Sequence, residues 1–215
     1  SPTATIVHAN PESTVYLDPP TINGTAINQE FTVNIMIRAV DDIHSWGAGL
    51  IFNATLLNCI GFFEGEFLKN VASTAWTEGD INNTSGAITF YGCSLTGPYP
   101  GASGNGTLAT VTFKVKDYGS SSLHPTDVIL VDSTVTGIPR DLADGYFNLP
   151  LPSPPVASFT YSPTTPLTGE TVTFDASASS DPDGWIISYA WNFGDGNTGT
   201  CLLYTSPSPR DRQKS

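Results

Sequence analysis

"FTVNIMIRA", residues 31–39, sets Phe31, Val33, Ile35, Ile37 and Ala39 on one side of an extended chain and Thr32, Asn34, Met36 and Arg38 on the other. This alternation marks a strand with one face in a core and one in water. "TLATVTFKVKD", residues 107–117, repeats it, with Ala109, Val111, Phe113 and Val115 inward and Thr110, Thr112, Lys114 and Lys116 outward. Around these two, shorter runs at 4–8, 15–17, 46–52, 57–62, 87–93, 127–131 and 145–149 read as strands separated by polar turns. A single helical turn is expected near 67–71. Nine or so short strands joined by turns predict an all-β chain built as a two-sheet sandwich.

The composition agrees. Of 215 residues, 39% are hydrophobic and 11% aromatic, enough for a core, whereas only 13% are charged and Thr, Ser, Asn and Gly abound. Twenty acidic residues face eight basic ones, a net charge of −12. That balance argues against nucleic acid as a partner, because a phosphate backbone needs a basic face. No apolar run approaches the roughly 20 residues of a membrane helix, so no membrane insertion is expected within these residues. The chain begins at Ser1 without a leader, as a mature form or a fragment would.

"LPLPSPPV", residues 149–156, places four prolines within 150–155. Proline cannot donate to a ladder, so 150–155 reads as an extended linker after a domain at 1–149. A second alternating pattern fills 156–200: "ASFTYSP" and "ETVTFDAS" as strands, "SSDPDG" as a turn, then "WIISYAWNFGDG" as strand and turn. About four strands are too few for a closed sandwich. After the glycine-rich turn a returning strand is expected. Instead residues 201–215 shift to Ser, Pro and Arg, with three of the eight basic residues in the last six positions. The expectation is a module cut short after Thr200, followed by a tail outside the functional protein.

The run from Pro154 to Gly196, "PPVASFTYSPTTPLTGETVTFDASASSDPDGWIISYAWNFGDG", resembles the first half of a PKD domain, an immunoglobulin-like module of extracellular proteins, through the hallmark Trp191-Asn-Phe-Gly-Asp-Gly. Residues 1–149 resemble the cohesin-type jelly roll, most of all the cohesin-like domains that precede PKD repeats in archaeal cell-surface proteins. "FTVNIMIRAVDDIHSWGAGLIFNATLLNCIGFFEGEFL", "GNGTLATVTFKV" and "DGYFNL" carry that resemblance. "CLLYTSPSPRD", residues 201–211, resembles the translation of a sequencing-library adapter. These resemblances imply a non-catalytic extracellular binding or scaffolding module, recognising a polysaccharide or a dockerin-like surface protein. A structural spacer of the cell envelope and an accessory region of a secreted polysaccharide hydrolase are the alternatives.

Residue by residue, catalysis finds little support. His8, His44 and His124 sit in no nucleophile elbow or zinc-binding helix. His44 with Asp41 and Asp42 would make an acid–base or metal cluster, but a solvated loop explains the same residues. Glu64 and Glu66 are too close in sequence to flank a substrate. Asp175, Asp181 and Asp183 could present oxygens to calcium, yet turn chemistry accounts for them, so no cofactor or metal is expected. Cys59 and Cys93 are either a disulfide or two buried thiols. Trp76, Tyr91 and Tyr99 are candidate binding rings, since flat exposed aromatics suit sugars and protein partners alike. Asn23, Asn53, Asn82, Asn83 and Asn105 head Asn-x-Ser/Thr sequons and are glycosylation candidates or plain turn residues.

Overall fold

The computed structural model describes residues 13–207 apart from Asp195. The strand expected at 4–8, and His8 with it, lies outside the described residues. The chain divides into two compact units, Ser1–Pro150 and Leu151–Ser215. The first contains β1 (Ser13–Asp18), β2 (Thr21–Asn23), β3 (Glu30–Ile51), β4 (Leu57–Glu64), the one-turn helix α1 (Glu66–Lys69), β5 (Thr74–Thr77), β6 (Ile81–Asn82), β7 (Ala87–Leu95), β8 (Ala102–Val115), β9 (Gly119–Asp132), β10 (Arg140–Ala143) and β11 (Gly145–Leu149).

β3, 22 residues long, organises this unit. Its first half pairs antiparallel with β1 on one side and β8 on the other, and β10 and β4 complete that layer. Its second half pairs with β7 and β9; β5 and β6 extend from β7, and β11 and then β2 from β9. The two layers therefore share one strand. The runs at 31–39 and 46–52, expected as separate strands around a loop, are continuous. Between them the register with β8 shifts twice and that with β9 once, with Ala39 and Asp42 at φ of 55° and 56°. Bulges bend a strand sharply and let it leave one sheet for another. The backbone N–H groups at the bend are not abandoned: Ala39 donates to Asn105 Oδ1 at 2.8 Å and Asp42 to Ser103 Oγ at 2.9 Å.

Alternation then builds the core. Val33, Ile35 and Ile37 from the first half of β3, Trp46, Ala48 and Leu50 from the second, and Val111, Phe113 and Val115 of β8 are all buried. The Phe113 ring meets Phe31 at 5.5 Å and Phe52 at 5.1 Å, while Phe31 stacks on Phe147 at 5.1 Å, so one group of rings joins both layers. On the outer edge of β4, Cys59 N–H donates to Asn83 Oδ1 at 2.7 Å and Asn83 Nδ2 returns a bond to Cys59 O at 2.9 Å. One side chain thereby satisfies a strand edge that would otherwise be open to pairing.

The second unit contains β12 (Thr160–Ser162), β13 (Thr171–Asp175), β14 (Trp191–Asn192), β15 (Thr198–Gly199) and β16 (Leu203–Pro207). The expectation that no strand follows Thr200 is overturned. β16 pairs with β13 along its length, Tyr204 stacks on Phe193 at 4.6 Å, and Trp191 Nε1 donates to Cys201 O at 2.7 Å. Five residues of mixed polarity are too few for alternation to announce a strand, so the ladder to β13 is what defines it. Among the described residues no helix is long and apolar enough to cross a membrane.

Candidate recognition face

In the layer formed around the second half of β3, the buried side chains Trp46, Ala48, Cys93 and Leu130 point inward, so their neighbours along each strand point out. The register lines these up in rows. One runs Thr77, Gly92, Gly47, Ile129 across β5, β7, β3 and β9, and the next runs Ala75, Ser94, Ser45, Val131. The result is a broad surface of small residues. Ile129 stands on it at 51% exposure. Phe90 is also 43% exposed, and its ring occupies the space a side chain at Gly47 would need: a Cβ there would come within 1.9 Å of it. Glu78, Asp80 and Asp127 are exposed beside these strands. No Lys or Arg occurs in 43–51, 74–95 or 119–132.

Local alternation does not mark Phe90 and Ile129 as outward, although the sequence carries a signal for Phe90. Glycine inside a strand marks a close approach of something else, and Gly47 and Gly92 both sit beneath Phe90. The candidate binding rings Trp76, Tyr91 and Tyr99 lie in different surroundings. Tyr91 is buried, stacked on Phe62 at 4.3 Å, and Trp76 is half-buried against the core, 5.9 Å from Trp46 and 5.8 Å from Tyr91. As exposed platforms these two are corrected: Trp76 holds an inward position of β5, opposite the buried Cys93, and Tyr91 is turned inward by a bulge. Two steps along β3, Ala48 to Leu50, match three along β7, Tyr91 to Ile88, so Phe90 faces out and Tyr91 in. Tyr99 is 49% exposed, in the loop after β7. Thr110, Thr112 and Lys114 lie in β8, in the other layer, where Thr110 Oγ1 bonds Asn34 Oδ1 at 2.8 Å.

Cys59 and Cys93 are both free and buried, which corrects the disulfide alternative. They belong to different layers and sit at different heights. Cys59 is gripped by Asn83, whereas Cys93 Sγ contacts Glu64 Oε1 at 3.1 Å, at the far end of β4, five residues and about 16 Å along the strand from Cys59. That exceeds the reach of any disulfide. Burial pushes the Cys59 thiol up to about 11, and burial together with the Glu64 hydrogen bond pushes Cys93 up to about 12. Native protein at pH 8 should therefore titrate one thiol per chain, the exposed Cys201, and three in denaturant without reductant. A single thiol in denaturant would mean that the pair is bridged after all.

The end of the unit where β3 bends gathers carboxylates that are already occupied. Asp42 accepts the Ser133 hydroxyl and, at 2.7 Å, the Gly101 N–H, and these bonds hold its carboxyl below the usual range. Asp132 is lowered likewise by the Thr136 N–H and the Thr134 hydroxyl. Asp41 takes the Ser103 hydroxyl at 2.7 Å, and His44 Nε2 lies 3.3 Å from Gly97 O. His124 pairs with Asp144 instead. Glu64 bonds Thr74 at 2.6 Å, and Lys69 lies beside both Glu64 and Glu66. Asp175, Asp181 and Asp183 each accept a nearby backbone N–H, from Ser177, Asp183 and Ser153. Among the described residues no three His, Cys, Asp or Glu groups gather to hold a metal ion. Of the sequon asparagines, Asn23, Asn53, Asn82 and Asn105 are exposed, while Asn83 commits both ends of its amide to β4.

Residues 152–205 match the PKD domain family. No curated protein matches the chain in sequence. Among solved structures it is similar to a non-cellulosomal cohesin from the hyperthermophilic archaeon Archaeoglobus fulgidus, at 17% identity and a TM-score of 0.52, over 65% of this chain and 91% of that one. It is also similar to a chain of the Coh-OlpA–Doc918 complex, a type I cohesin–dockerin complex from Clostridium thermocellum, at 13% identity and 0.53, over 65% and 99%. The seventh ScaB type I cohesin from Pseudobacteroides cellulosolvens gives 18% and 0.52, over 66% and 95%. Identities this low speak for the fold, and the fold is an all-β one: a cohesin-like jelly-roll sandwich followed by an immunoglobulin-like PKD region.

Proposed function

We propose that the chain is a non-catalytic recognition module of a modular extracellular surface protein, and that a dockerin-like protein docks on the outer face of β5, β7, β3 and β9. The observation that carries this reading is the pairing of Phe90 and Ile129, both exposed, above a floor of glycine and serine whose surroundings are acidic. Protein interfaces concentrate their energy in a few apolar anchors ringed by polar groups. The matching partner presents aliphatic side chains with Lys or Arg around them. That structural neighbours include a cohesin solved with its dockerin supports the same reading. Polysaccharide recognition draws less support, because Trp76 and Tyr91 pack inward.

The test compares variants in a pull-down from secreted and envelope proteins of the source organism, alongside a glycan array. The wild-type chain should retain a dockerin-bearing protein. Ile129→Asp, at a position with little packing to lose, should weaken the isolated complex about a hundredfold, roughly 2–3 kcal/mol. Thr110→Ala with Thr112→Ala, in the other layer, should leave it intact. Binding that survives Ile129→Asp, or a glycan bound in place of a protein, would overturn the proposal.

A further inference from the structure

Two of the five sequons overlap: in "NNTS", residues 82–85, Asn82 is read with Thr84 and Asn83 with Ser85. Nothing in the sequence separates them, but their hydrogen bonds do. Asn83 pairs with Cys59 at two points, its Oδ1 accepting the Cys59 N–H and its Nδ2 donating to Cys59 O. Such a pairing uses the amide hydrogen on the oxygen's side. Asn82 engages its oxygen alone, which accepts the N–H groups of Thr84 and Ser85, each at 3.0 Å. Asn53 does the same within its own sequon, its Oδ1 accepting the Thr55 N–H at 2.9 Å and the Thr55 hydroxyl at 2.7 Å. The Nδ2 atoms of Asn53 and Asn82 have no partner among the described residues, and Asn53, Thr55, Asn82 and Thr84 are all exposed. Asn23 and Asn105 are exposed too, but the hydroxyls of their sequons are engaged elsewhere, Thr25 with Gln29 Oε1 at 3.0 Å and Thr107 with Met36 Sδ at 3.2 Å.

We propose that Asn53 and Asn82 carry N-linked glycans and that Asn83 does not. The modification depends on the extracellular location proposed above, and its donor is a polyprenyl-phosphate-linked oligosaccharide. A bond forms between Nδ2 and the anomeric carbon as the anomeric C–O bond breaks; the polyprenyl phosphate leaves with the electron pair and the amide gives up one proton. The product is a secondary amide, which like a peptide bond prefers the trans form and so sets the sugar on the oxygen's side. At Asn83 that position belongs to the hydrogen bonded to Cys59 O, so a sugar there would break the pairing and reopen the edge of β4. At Asn53 and Asn82 the hydrogen given up holds nothing in the protein, and the oxygen keeps the donors that fix the side chain.

The chain is purified from the secreted and envelope fractions of the source organism and from its cell interior, and digested. Electron-transfer fragmentation of the peptides in a mass spectrometer then assigns a sugar to one asparagine. Glycan mass is expected on Asn53 and Asn82, with Asn83 bare. Two variants expressed in the same organism differ by which hydroxyl they lose. Thr84→Ala removes the Asn82 sequon but leaves Asn83 with Ser85, and should abolish glycan mass on residues 81–85. Ser85→Ala removes the Asn83 sequon alone and should leave that mass unchanged. Both side chains are exposed and the N–H groups that bond Asn82 remain, so the fold survives either change. Asn53 or Asn82 bare in chain recovered outside the cell would overturn the glycan assignment and leave the extracellular reading standing. Chain confined to the interior and bare would overturn both. Sugar on Asn83, or glycan retained in Thr84→Ala, would show that the Cys59 pairing does not select the site, and the assignment would fall.

Discussion

Phe113→Ala should destabilise the sandwich unit by about 3–5 kcal/mol, the range for deleting a buried aromatic ring. The site is fully buried and its ring touches Phe31 and Phe52, the last of these just beyond the second half of β3. Emptying it removes contacts from both layers at once, and β8 cannot relax inward without dragging its pairings with β3 and β4. The cavity should therefore persist, which places the loss toward the upper part of that range. Urea unfolding reads it as a lower midpoint at an unchanged slope. A loss below about 1 kcal/mol would show that the two layers do not depend on this ring.

Gly86→Ala should cost about 3 kcal/mol or more, although it adds a single methyl group. Gly86 sits in the turn between β6 and β7 at a φ of 74°, where its N–H donates to Asn82 O and its carbonyl accepts the N–H of Phe52. A Cβ there would stand 2.0 Å from Phe52 O and 3.1 Å from Ala54 N. Backbone atoms tied into the layer cannot step aside, so steric overlap adds to the left-handed penalty of about 1–2 kcal/mol. Gly104, at a φ of 108° with nothing within 4 Å of its Cβ, separates the two contributions. Gly104→Ala should lose the conformational part alone, and equal losses at the two sites would refute the steric argument.

What could be read in the sequence was periodicity, and what could not was its interruption. The alternation at 31–39 and 109–115 names Val33, Ile35, Ile37, Val111, Phe113 and Val115, all of them buried, but it also names Ala39, which the bend at φ 55° leaves exposed. The stretch "DDIH" looks like a loop because Asp favours turns, but Asp42 uses that preference to take up a positive φ inside a strand. The same limit governs the recognition face. One extra residue at Thr89–Phe90 reverses the facing of everything after it, so an aromatic expected outward, Tyr91, belongs to the core, while Phe90 stands in solvent. Cross-strand rows such as Thr77, Gly92, Gly47 and Ile129 draw on four distant segments, and no local pattern records their register.

A strand that serves two layers also sets a schedule for synthesis. Among its partners β1 is already made when β3 leaves the ribosome, whereas β8 and β9 bind it through pairs such as Glu30 with Lys114 and Ile43 with Asp132. Those partners emerge roughly 80 residues later, which at 5–20 residues per second is about 4–16 s of translation. Throughout that interval a long apolar-edged ribbon waits without its mates, so the nascent chain is most in need of protection between the appearance of Ile51 and that of Asp132.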